Sequence, residues 1–274
     1  MVICMWLLLL VLSVILWICL DDSIVIAEHR IYTDKVKLQI KLAVISDFHC
    51  GNAEEVLDEL DKIQPDAVLI PGDLVDENIS LKPVDDLLRG LRQWPCFYVS
   101  GNHEYKIGRN YNNYFKMIEL LEEHDIVHLE NQSCIVTQNE QKIWIGGVQD
   151  HTSDKTKDPD KLDLMNIAQV CKDLNQDVFS ILLMHRPEQY DLVENYPVDV
   201  LVSGHAHGGQ WRFPGVNGLF APQQGLFPKR AGGIYFMNHG IHLVSRGLAH
   251  YWFLPRILNH REINVLILDK KRAD

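Results

Sequence analysis

The stretch Leu201–Gln210, LVSGHAHGGQ, places two histidines directly after a short apolar run. Residues 198–202 predict a buried strand, and Gly204 ends that strand and begins a turn. The two glycines behind the histidines lack a Cβ, so the backbone can fold back there and approach a ligand closely. His205 and His207 could then bind a metal ion, although a solvent-facing histidine loop would show the same pattern. The rest of the chain has to decide between these interpretations.

Four other predicted strands end in polar turns of the same kind. These strands cover residues 38–46, 67–70, 96–99 and 179–184, and each is mostly apolar. The polar side chains that follow them are Asp47, His49, Asp73, Asn102, His103 and His185. Because functional groups of α/β proteins collect at the carboxyl ends of the strands, we expect these side chains to converge there.

Segments with helical periodicity alternate with these strands. The predicted helices cover residues 53–63, 81–92, 111–124 and 162–174. Short strands are predicted within residues 126–147, and closing strands at residues 240–244 and 263–268. Residues 213–233 form a long connection rich in glycine and proline, which predicts a functional loop. The alternation of strands and helices predicts an α/β fold.

The composition is that of a globular protein with an acidic balance. The chain has 274 residues, of which 47% are hydrophobic and 23% charged, enough for one sizeable domain. Its formal net charge is −11. Binding to nucleic acid depends on many lysine and arginine contacts with phosphates, so no nucleic-acid partner is expected. A small phosphorylated substrate is still compatible with this charge, because bound cations can invert the local field.

Residues 1–20 contain no charged side chain and have the length of a helix that crosses the hydrocarbon core of a membrane. We therefore predict a single-pass transmembrane anchor at residues 1–20. A linker that includes the first strand would follow at residues 21–37, and the catalytic domain would occupy residues 38–274. A cleaved signal peptide is the alternative, but no basic segment precedes the apolar run and no small-x-small cleavage site precedes Asp21.

Two features favour the cytoplasmic side of the cell membrane for the predicted domain. No lysine or arginine precedes the apolar run, whereas Arg30, Lys35, Lys37 and Lys41 follow it. The six cysteines show no C-x-x-C spacing, which is more typical of reduced thiols than of a disulfide framework.

The side chains at the strand ends indicate a metal site only when they are considered together. Taken singly, an aspartate after a strand is often a helix cap, and a buried histidine is often hydrogen-bonded to the backbone. Together, carboxylate, imidazole and amide ligands suit Mn, Fe, Co, Zn or Ni. One aspartate can bridge two such ions, and the pair can activate water and neutralise phosphoryl oxygens. The set therefore predicts two divalent metal ions and phosphoester hydrolysis; its members are Asp47, His49, Asp73, Asn102, His185, His205 and His207.

Five sequence blocks recur in a familiar order. They are D-x-H at residues 47–49, G-D at 72–73, G-N-H-E at 101–104, His185 after a strand, and G-H-x-H at 204–207. Together, over residues 38–268, these blocks resemble those of the calcineurin-like metallophosphoesterases. The resemblance implies a four-layer α/β/β/α sandwich of two mixed sheets.

The resemblance also implies a role for each residue. One ion is then held by Asp47, His49, Asp73 and His207, and the other by Asp73, Asn102, His185 and His205. A hydroxide that bridges the ions is the implied nucleophile. His103 is expected to contact substrate near the leaving oxygen, as a general acid or as a stabiliser of charge. Asp73, which both ions share, and His103 are thus the implied catalytic residues.

A finer resemblance concerns the membrane-associated bacterial phosphoesterases related to UDP-2,3-diacylglucosamine pyrophosphatases. It rests on the G-H-A-H-G-G-Q block, on S-R-G at residues 245–247 and on the tail at residues 259–263. Ala206 stands where many of that branch have threonine, and H-R-E in the tail stands where Arg-Pro-Glu is frequent, so the substrate assignment is in doubt. The purple acid phosphatases are disfavoured, because Asp76 replaces the tyrosine ligand of their G-D-x-x-Y motif.

Three hypotheses about function follow. The leading one is a membrane-tethered hydrolase of a phosphodiester or pyrophosphate bond in a lipid-linked or nucleotide-sugar substrate, with the apolar residues 251–254 either beside the site or part of the core. Arg246 and Arg186 are candidates to bind phosphate, since a guanidinium can meet it bidentately, or are ordinary surface residues. The alternatives are a phosphodiesterase or phosphatase for small soluble substrates, and a metal-binding scaffold without turnover. The scaffold is disfavoured because no ligand is missing.

Overall fold

The computed structural model describes residues 2–77, 80–107, 111–138, 140–150, 159–251 and 253–271, so Trp252 lies outside the described residues. The helices are α1 Val2–Cys19, α2 Ala53–Ile63, α3 Lys82–Leu91, α4 Asn102–Ile107, α5 Tyr111–Glu123, α6 Pro159–Cys171 and α7 Tyr190–Val193. The prediction for α2 has the observed bounds, with Asn52 as its N-cap. The prediction for α6 began at residue 162, whereas the helix begins at Pro159, a residue type favoured in the first turn.

The first sheet is mixed. Its strands are β1 Ile24–Thr33, β2 Ile40–Val44, β3 Ala67–Ile70, β4 Cys96–Tyr98, β5 Val127–His128 and β14 Arg261–Lys270. The order across the sheet is β1, β14, β2, β3, β4, β5. β2 to β5 run parallel, as the alternating strands and helices predicted, and β14 pairs antiparallel with β2. The chain thus closes beside its own first strands.

The second sheet is mixed as well. Its strands are β6 Gln132–Gln138, β7 Gln141–Val148, β8 Phe179–Met184, β9 Val200–Ser203, β12 Gly233–Phe236 and β13 Ile241–Val244. The order is β12, β13, β9, β8, β7, β6, with the four inner strands parallel and the two edge strands antiparallel to their neighbours. Residues 213–233, predicted to lack regular structure, include the short hairpin of β10 Phe220–Ala221 and β11 Gly225–Leu226.

Alternating side chains divide the core into layers. On β2, Ala43 packs in a cluster with α2, α3 and α5, whereas Leu42 and Val44 pack between the two sheets against β8 and β9. On the other side of the second sheet, Leu182 of β8 packs with α6. This alternation is the period of two of a strand that is covered on both faces. The predicted four-layer α/β/β/α sandwich is confirmed.

Two further elements lie near the functional region: β1, where a first strand was expected within residues 21–37, and α4, which was not assigned by sequence. β1 lies within the predicted linker at residues 21–37 and pairs in parallel with β14, from Ile24 beside Arg261 to Thr33 beside Lys270. Its side chains alternate between half-buried and exposed, the pattern of a sheet edge. The short helix α4 begins at Asn102, directly behind β4.

The predicted membrane anchor is wrong. α1 covers the 18 residues Val2–Cys19. Among the described residues, no helix has both the length and the apolar character needed to cross a membrane. This finding contradicts the single-pass anchor at residues 1–20 and the cell-membrane localisation predicted from it.

Candidate metal centre

The strand ends of both sheets meet at one place. The turn behind β2 is joined to the turn behind β3, where the Asp47 N–H donates to the carbonyl of Gly72 at 3.1 Å. The turn behind β9 is joined to the end of β8 by the Gly204 N–H, which donates to His185. Asn102 is buried at the start of α4, next to His103, whose backbone N–H donates to Asp73 Oδ1 at 2.9 Å. The carboxylate and imidazole side chains of the predicted set come together there, buried except for the partly buried His207: Asp47, His49, Asp73, His185, His205 and His207.

Asp73 lies between two groups of ligand atoms. Its Oδ2 is 3.2 Å from His185 Nε2 on one side and 3.6 Å from His49 Nε2 on the other. Asp73, His185 and His205 form one group in which all ligand atoms lie within 4.8 Å of one another. Asp47, His49 and His207 form another. A single carboxylate oxygen is therefore placed to serve both groups.

The donor atoms of this centre fit a cation. Several of them are buried and have no hydrogen-bond partner among the described residues: both ring nitrogens of His49, Asp73 Oδ2, Asn102 Oδ1 and His207 Nδ1. Buried polar atoms without a partner are rare in proteins and call for an explanation. Carboxylate, amide and imidazole groups that converge in this way are what a first-row divalent ion requires.

Burial keeps three of the imidazoles neutral. It lowers the pKa of His49 to about 4 and, together with the positive charge of neighbouring groups, the pKa of His205 and His207 to about 3. Metal binding requires neutral histidine, so these shifts favour ligation. Burial also acts to lower the pKa of His185, but the carboxylate of Asp73 outweighs it and raises this pKa to about 10. A proton and a metal ion therefore compete for the position between His185 and Asp73.

Hydrogen bonds from behind orient the ligands. The Nδ1 of His185 donates to the carbonyl of Pro71 at 2.7 Å, which turns Nε2 towards Asp73. The carboxylate of Asp47 accepts from the Ser46 hydroxyl at 2.5 Å and from the backbone N–H of His205 at 2.9 Å. Such outer contacts fix ring and carboxylate orientation and raise the affinity for metal.

Most of the ligands stand on strained backbone. Asp47, His49, Asp73, His205 and His207 have φ values of 51°, 47°, 55°, 65° and 47°. This left-handed region is uncommon for residues other than glycine, although aspartate and histidine enter it more readily than most. Strain of this kind persists where the surrounding structure enforces it, and it clusters at functional sites.

Glu104 supports the turns that carry Asp73 and Asn102, a role that the sequence analysis did not assign. Its buried carboxylate accepts from the backbone N–H groups of Leu74 at 2.7 Å, Gly101 at 2.8 Å and Asp73 at 3.2 Å. These bonds hold the turns behind β3 and β4 together, and burial together with Asp73 raises the pKa of Glu104 to about 7. The signal was present in the sequence, because the G-N-H-E block includes this residue.

Asn259 supports the turn that carries His207, and Arg256 supports the segment that follows β13. The sequence analysis assigned neither role. The amide of Asn259 donates to the carbonyls of His207 at 2.8 Å and Gln210 at 3.1 Å. The buried guanidinium of Arg256 donates to the carbonyl of Ala249 at 2.9 Å and to other carbonyls of that segment. Asn259 begins the tail motif at residues 259–263, which marked it without showing this role, whereas Arg256 lies in none of the quoted motifs.

His103 stands beside the ligands together with Asp76. Its Nδ1 is 3.2 Å from Asp76 Oδ1, and its Nε2 is 3.1 Å from Lys106 Nζ. The hydroxyl of Tyr251 donates to Asp76 Oδ2 at 3.3 Å, and the Tyr251 ring lies 5.8 Å from that of His49. Burial acts to lower the pKa of His103, but Asp76 and Asp73 outweigh it and raise this pKa. His103 is thus kept ready to carry a proton.

The two arginines predicted to bind phosphate are both engaged with carboxylates. Arg186 is buried and its Nε donates to Asp150 at 2.5 Å. Arg246 donates to Glu262 at 2.5 Å, but a fifth of its side chain is exposed. Their assignment to substrate stays a prediction, and Arg246 is the more accessible of the two.

The sequence profile described as Calcineurin-like phosphoesterase matches residues 40–209, the segment that carries every ligand of the predicted set. The chain belongs to this family. The family prediction is confirmed, and the residue groups that could hold metal ions agree with a family whose members hydrolyse phosphoesters with two divalent ions. The finer resemblance to UDP-2,3-diacylglucosamine pyrophosphatases is not tested by this match.

Two relatives illustrate the range of the family. An uncharacterized metallophosphoesterase of Helicobacter pylori (strain J99) is 31% identical over 264 residues, which cover 90% of this chain and 65% of that protein. This chain therefore spans somewhat less than two thirds of that protein's length. Phosphodiesterase YaeI of Escherichia coli (strain K12) is 28% identical over 186 residues, covering 67% of this chain and 61% of that protein.

A solved structure agrees on the fold. The NAD nucleotidase NadN of Haemophilus influenzae superposes with a TM-score of 0.54 at 18% identity, covering 77% of this chain and 45% of that one. At this level of identity the likeness concerns the arrangement of strands and helices alone.

Proposed function

We propose that this protein hydrolyses a phosphodiester or pyrophosphate bond in a substrate that carries a lipid group. The observation on which the hydrolysis rests is Asp73 Oδ2, placed within 3.6 Å of imidazoles from both ligand groups. Asp47, His49, Asp73 and His207 would hold one divalent ion, and Asp73, Asn102, His185 and His205 the other. When bound, such ions lower the pKa of a water and neutralise charge on phosphoryl oxygens.

The chain itself supplies the group that assists the leaving oxygen. Asp76 accepts from His103 Nδ1, which fixes the ring. Lys106 Nζ lies 3.1 Å from Nε2 and is placed to donate to it, so Lys106 has to turn away before Nε2 can give a proton or a hydrogen bond to that oxygen. The charge of Lys106 then adds to the positive charge around that oxygen. His103 therefore acts on the substrate, while its neighbour Asn102 belongs to the metal centre.

An apolar border beside the centre supports a lipid group on the substrate. Phe253, with 67% of its surface exposed, lies 5.6 Å from the Tyr251 ring, which in turn lies 5.8 Å from His49. Phe227 is 65% exposed, and its N–H donates to Leu219, whose own N–H donates to Gly209 in the histidine turn. Exposed aromatic side chains that adjoin a site are typical of surfaces that bind apolar ligands.

The hydrolysis can be tested on the purified protein with a chromogenic phosphodiester and added Mn²⁺. We expect a chelator to abolish the rate and Asp73→Asn to lower it at least about a thousandfold, because this residue would serve both ions. Asp58→Asn, at an exposed position of α2, is the control and should leave the rate unchanged. A rate unaffected by both chelator and Asp73→Asn would contradict the proposal.

The lipid group can be tested with two substrates that share a headgroup, a long-chain and a short-chain diacyl UDP-glucosamine. We expect faster turnover of the long-chain compound, and a selective loss of about fivefold or more on it in Phe227→Ser, because less apolar surface is covered. Phe236→Ser is the matched control: Phe236 is 86% exposed but pairs with Ile241, at the end of β13 away from the centre. Equal rates for both substrates would instead support a hydrolase of small soluble esters.

A further inference from the structure

Gln223 contacts a ligand of the centre from a distant loop. Its Oε1 lies 2.5 Å from His205 Nε2. An amide oxygen accepts only, so the hydrogen of the ring must sit on Nε2. His205 Nδ1 then carries the lone pair, and it points to within 3.2 Å of His185 Nε2. The contact thus selects which nitrogen of His205 faces the metal centre.

Both partners of this contact occupy strained turns. The Ala206 N–H donates to the Gly204 carbonyl at 2.7 Å around His205, and the Gln224 N–H donates to the Pro222 carbonyl at 2.7 Å around Gln223. The central residues have φ values of 65° and 56°. Three-residue turns with positive φ are rare and strained. Two of them that face each other across a side-chain hydrogen bond indicate a geometry that the fold enforces.

The loop that carries Gln223 is pinned independently of His205. The side-chain amide of Gln224 donates to the Arg230 carbonyl at 2.7 Å and accepts from the Arg230 N–H at 3.0 Å. The guanidinium of Arg230 lies 3.4 Å from the centre of the Tyr190 ring, a cation–π contact, and 3.2 Å from His242 Nδ1. Gln223 is therefore presented to His205 from a fixed base.

We propose that Gln223 is a positioning residue of the metal centre, which holds His205 with Nδ1 directed at the ion shared with Asp73 and His185. The proposal rests on the proposed function, because it assumes that these residues bind a metal ion. Outer contacts to a ligating histidine fix its tautomer and contribute to metal affinity. Gln223 itself touches neither the ion nor the substrate.

The test is Mn²⁺ binding to the full chain, measured by calorimetry and by metal content after dialysis. We expect the wild type to bind two ions, and Gln223→Leu to bind one of them about 10–100-fold more weakly. Gln223→Glu restores an acceptor and should keep both affinities near the wild-type values. Lys229→Leu, at an exposed position of the same loop, is the matched control and should retain both ions.

The outcomes separate this inference from the function on which it rests. A wild type that binds fewer than two ions contradicts the proposed function. A wild type with two ions and an unaltered Gln223→Leu overturns the role of Gln223 and leaves the function intact. An equal loss in Gln223→Leu and Lys229→Leu also overturns it, because a general effect of the loop would then account for both.

A second measurement tests the proposal without any substitution of Gln223. In metal-free wild-type protein, ¹⁵N spectra of the histidine rings report which nitrogen carries the hydrogen, and His205→Ala identifies the signal. We expect the hydrogen of His205 on Nε2. A hydrogen on Nδ1 would overturn the proposal, because Gln223 would then accept nothing from the ring.

Discussion

Two regions of the chain supply every ligand of the metal centre except His185, and they do so in different ways. Residues 40–104, the first ligand region, supply aspartate, asparagine and one histidine, and Glu104 from the same region holds their turns. Residues 205–262, the second ligand region, supply His205 and His207. Their supports are side chains of two separate segments: Gln223 contacts the ring of His205, 18 residues away, and Asn259 donates to the carbonyl of His207, 52 residues away. The difference shows that one centre can combine turns that a single carboxylate ties together with a turn that is held by side chains of separate segments.

The largest effect should come from crowding the first ligand region. In Gly101→Ala, the new Cβ would lie 2.3 Å from Asp73 Oδ1 and 2.8 Å from the Asp73 nitrogen. Backbone atoms cannot move aside cheaply, so we expect about 2–3 kcal/mol less stability, or more, and loss of metal binding. Chemical denaturation and Mn²⁺ titration measure the two effects.

Gly90→Ala in α3 is the control for crowding itself. Its Cβ would also approach another atom to 2.3 Å, but that atom is Cδ1 of the flexible Leu57 side chain. A helical position also favours alanine over glycine by about 1 kcal/mol. Gly90→Ala should therefore keep metal binding. Equal losses in both variants would mean that the turn behind β4 is no more rigid than a helix surface.

The next effect tests how the first ligand region is held. Glu104→Gln keeps the shape of the side chain but replaces one acceptor oxygen by an N–H₂ group facing backbone N–H donors. We expect metal affinity to fall about 10–100-fold, as for other outer contacts of metal sites. Glu122→Gln on the exposed face of α5 is the control. Unchanged Mn²⁺ affinity in Glu104→Gln would show that the turns hold their geometry without it.

The same comparison explains how much the sequence could predict. The strand, turn and helix from β2 to β4 are short-range patterns, and the ligands Asp47, Asp73 and Asn102 follow them directly. The two-sheet layering followed from the family resemblance and is confirmed. The α/β class and the metal chemistry were therefore accessible from the residues, and the family and its layering from the resemblance that the motifs carry.

The supports of the second ligand region were not predictable in this way. Asn259 and Arg256 lie in irregular segments, and hydrogen bonds to backbone carbonyls leave no periodic trace in a sequence. The N-terminal prediction failed for a different reason: apolar composition indicated a span, but it did not fix where α1 ends. Helix ends depend on capping and on contacts such as the bond from the Leu258 N–H to the carbonyl of Cys19.

A smaller effect is expected in the second ligand region. Asn259→Ala leaves the carbonyls of His207 and Gln210 without their side-chain donor, which costs about 1–3 kcal/mol for buried groups. We expect about tenfold weaker binding of one ion, because the turn that carries His207 loosens. Asn238→Ala, on an exposed turn, is the control. A loss larger than that of Glu104→Gln would reverse the proposed ranking of the two regions.

The smallest effect is expected for Tyr251, whose hydroxyl contacts Asp76 beside His103. Tyr251→Phe removes the hydroxyl that donates to Asp76 Oδ2 at 3.3 Å but keeps the ring beside His49. Asp76 retains its bond to His103, so the loss is one hydrogen bond of about 0.5–1.5 kcal/mol, or about two- to tenfold in rate. Metal affinity should not change, because Tyr251 binds no ligand atom of the predicted set.

Steady-state kinetics with metal titration in parallel checks this expectation, and Tyr32→Phe, with Tyr32 60% exposed on β1, is the control. A fall in kcat with unchanged Mn²⁺ affinity would place Tyr251 with Asp76 and His103, as a residue that positions the proton donor. A fall in metal affinity would place it with Asn259 instead, among the supports of the ligands. In that case Tyr251 and Asn259, both of the second ligand region, would affect only metal binding. Contact with the substrate would then depend on His103 and Asp76 of the first ligand region.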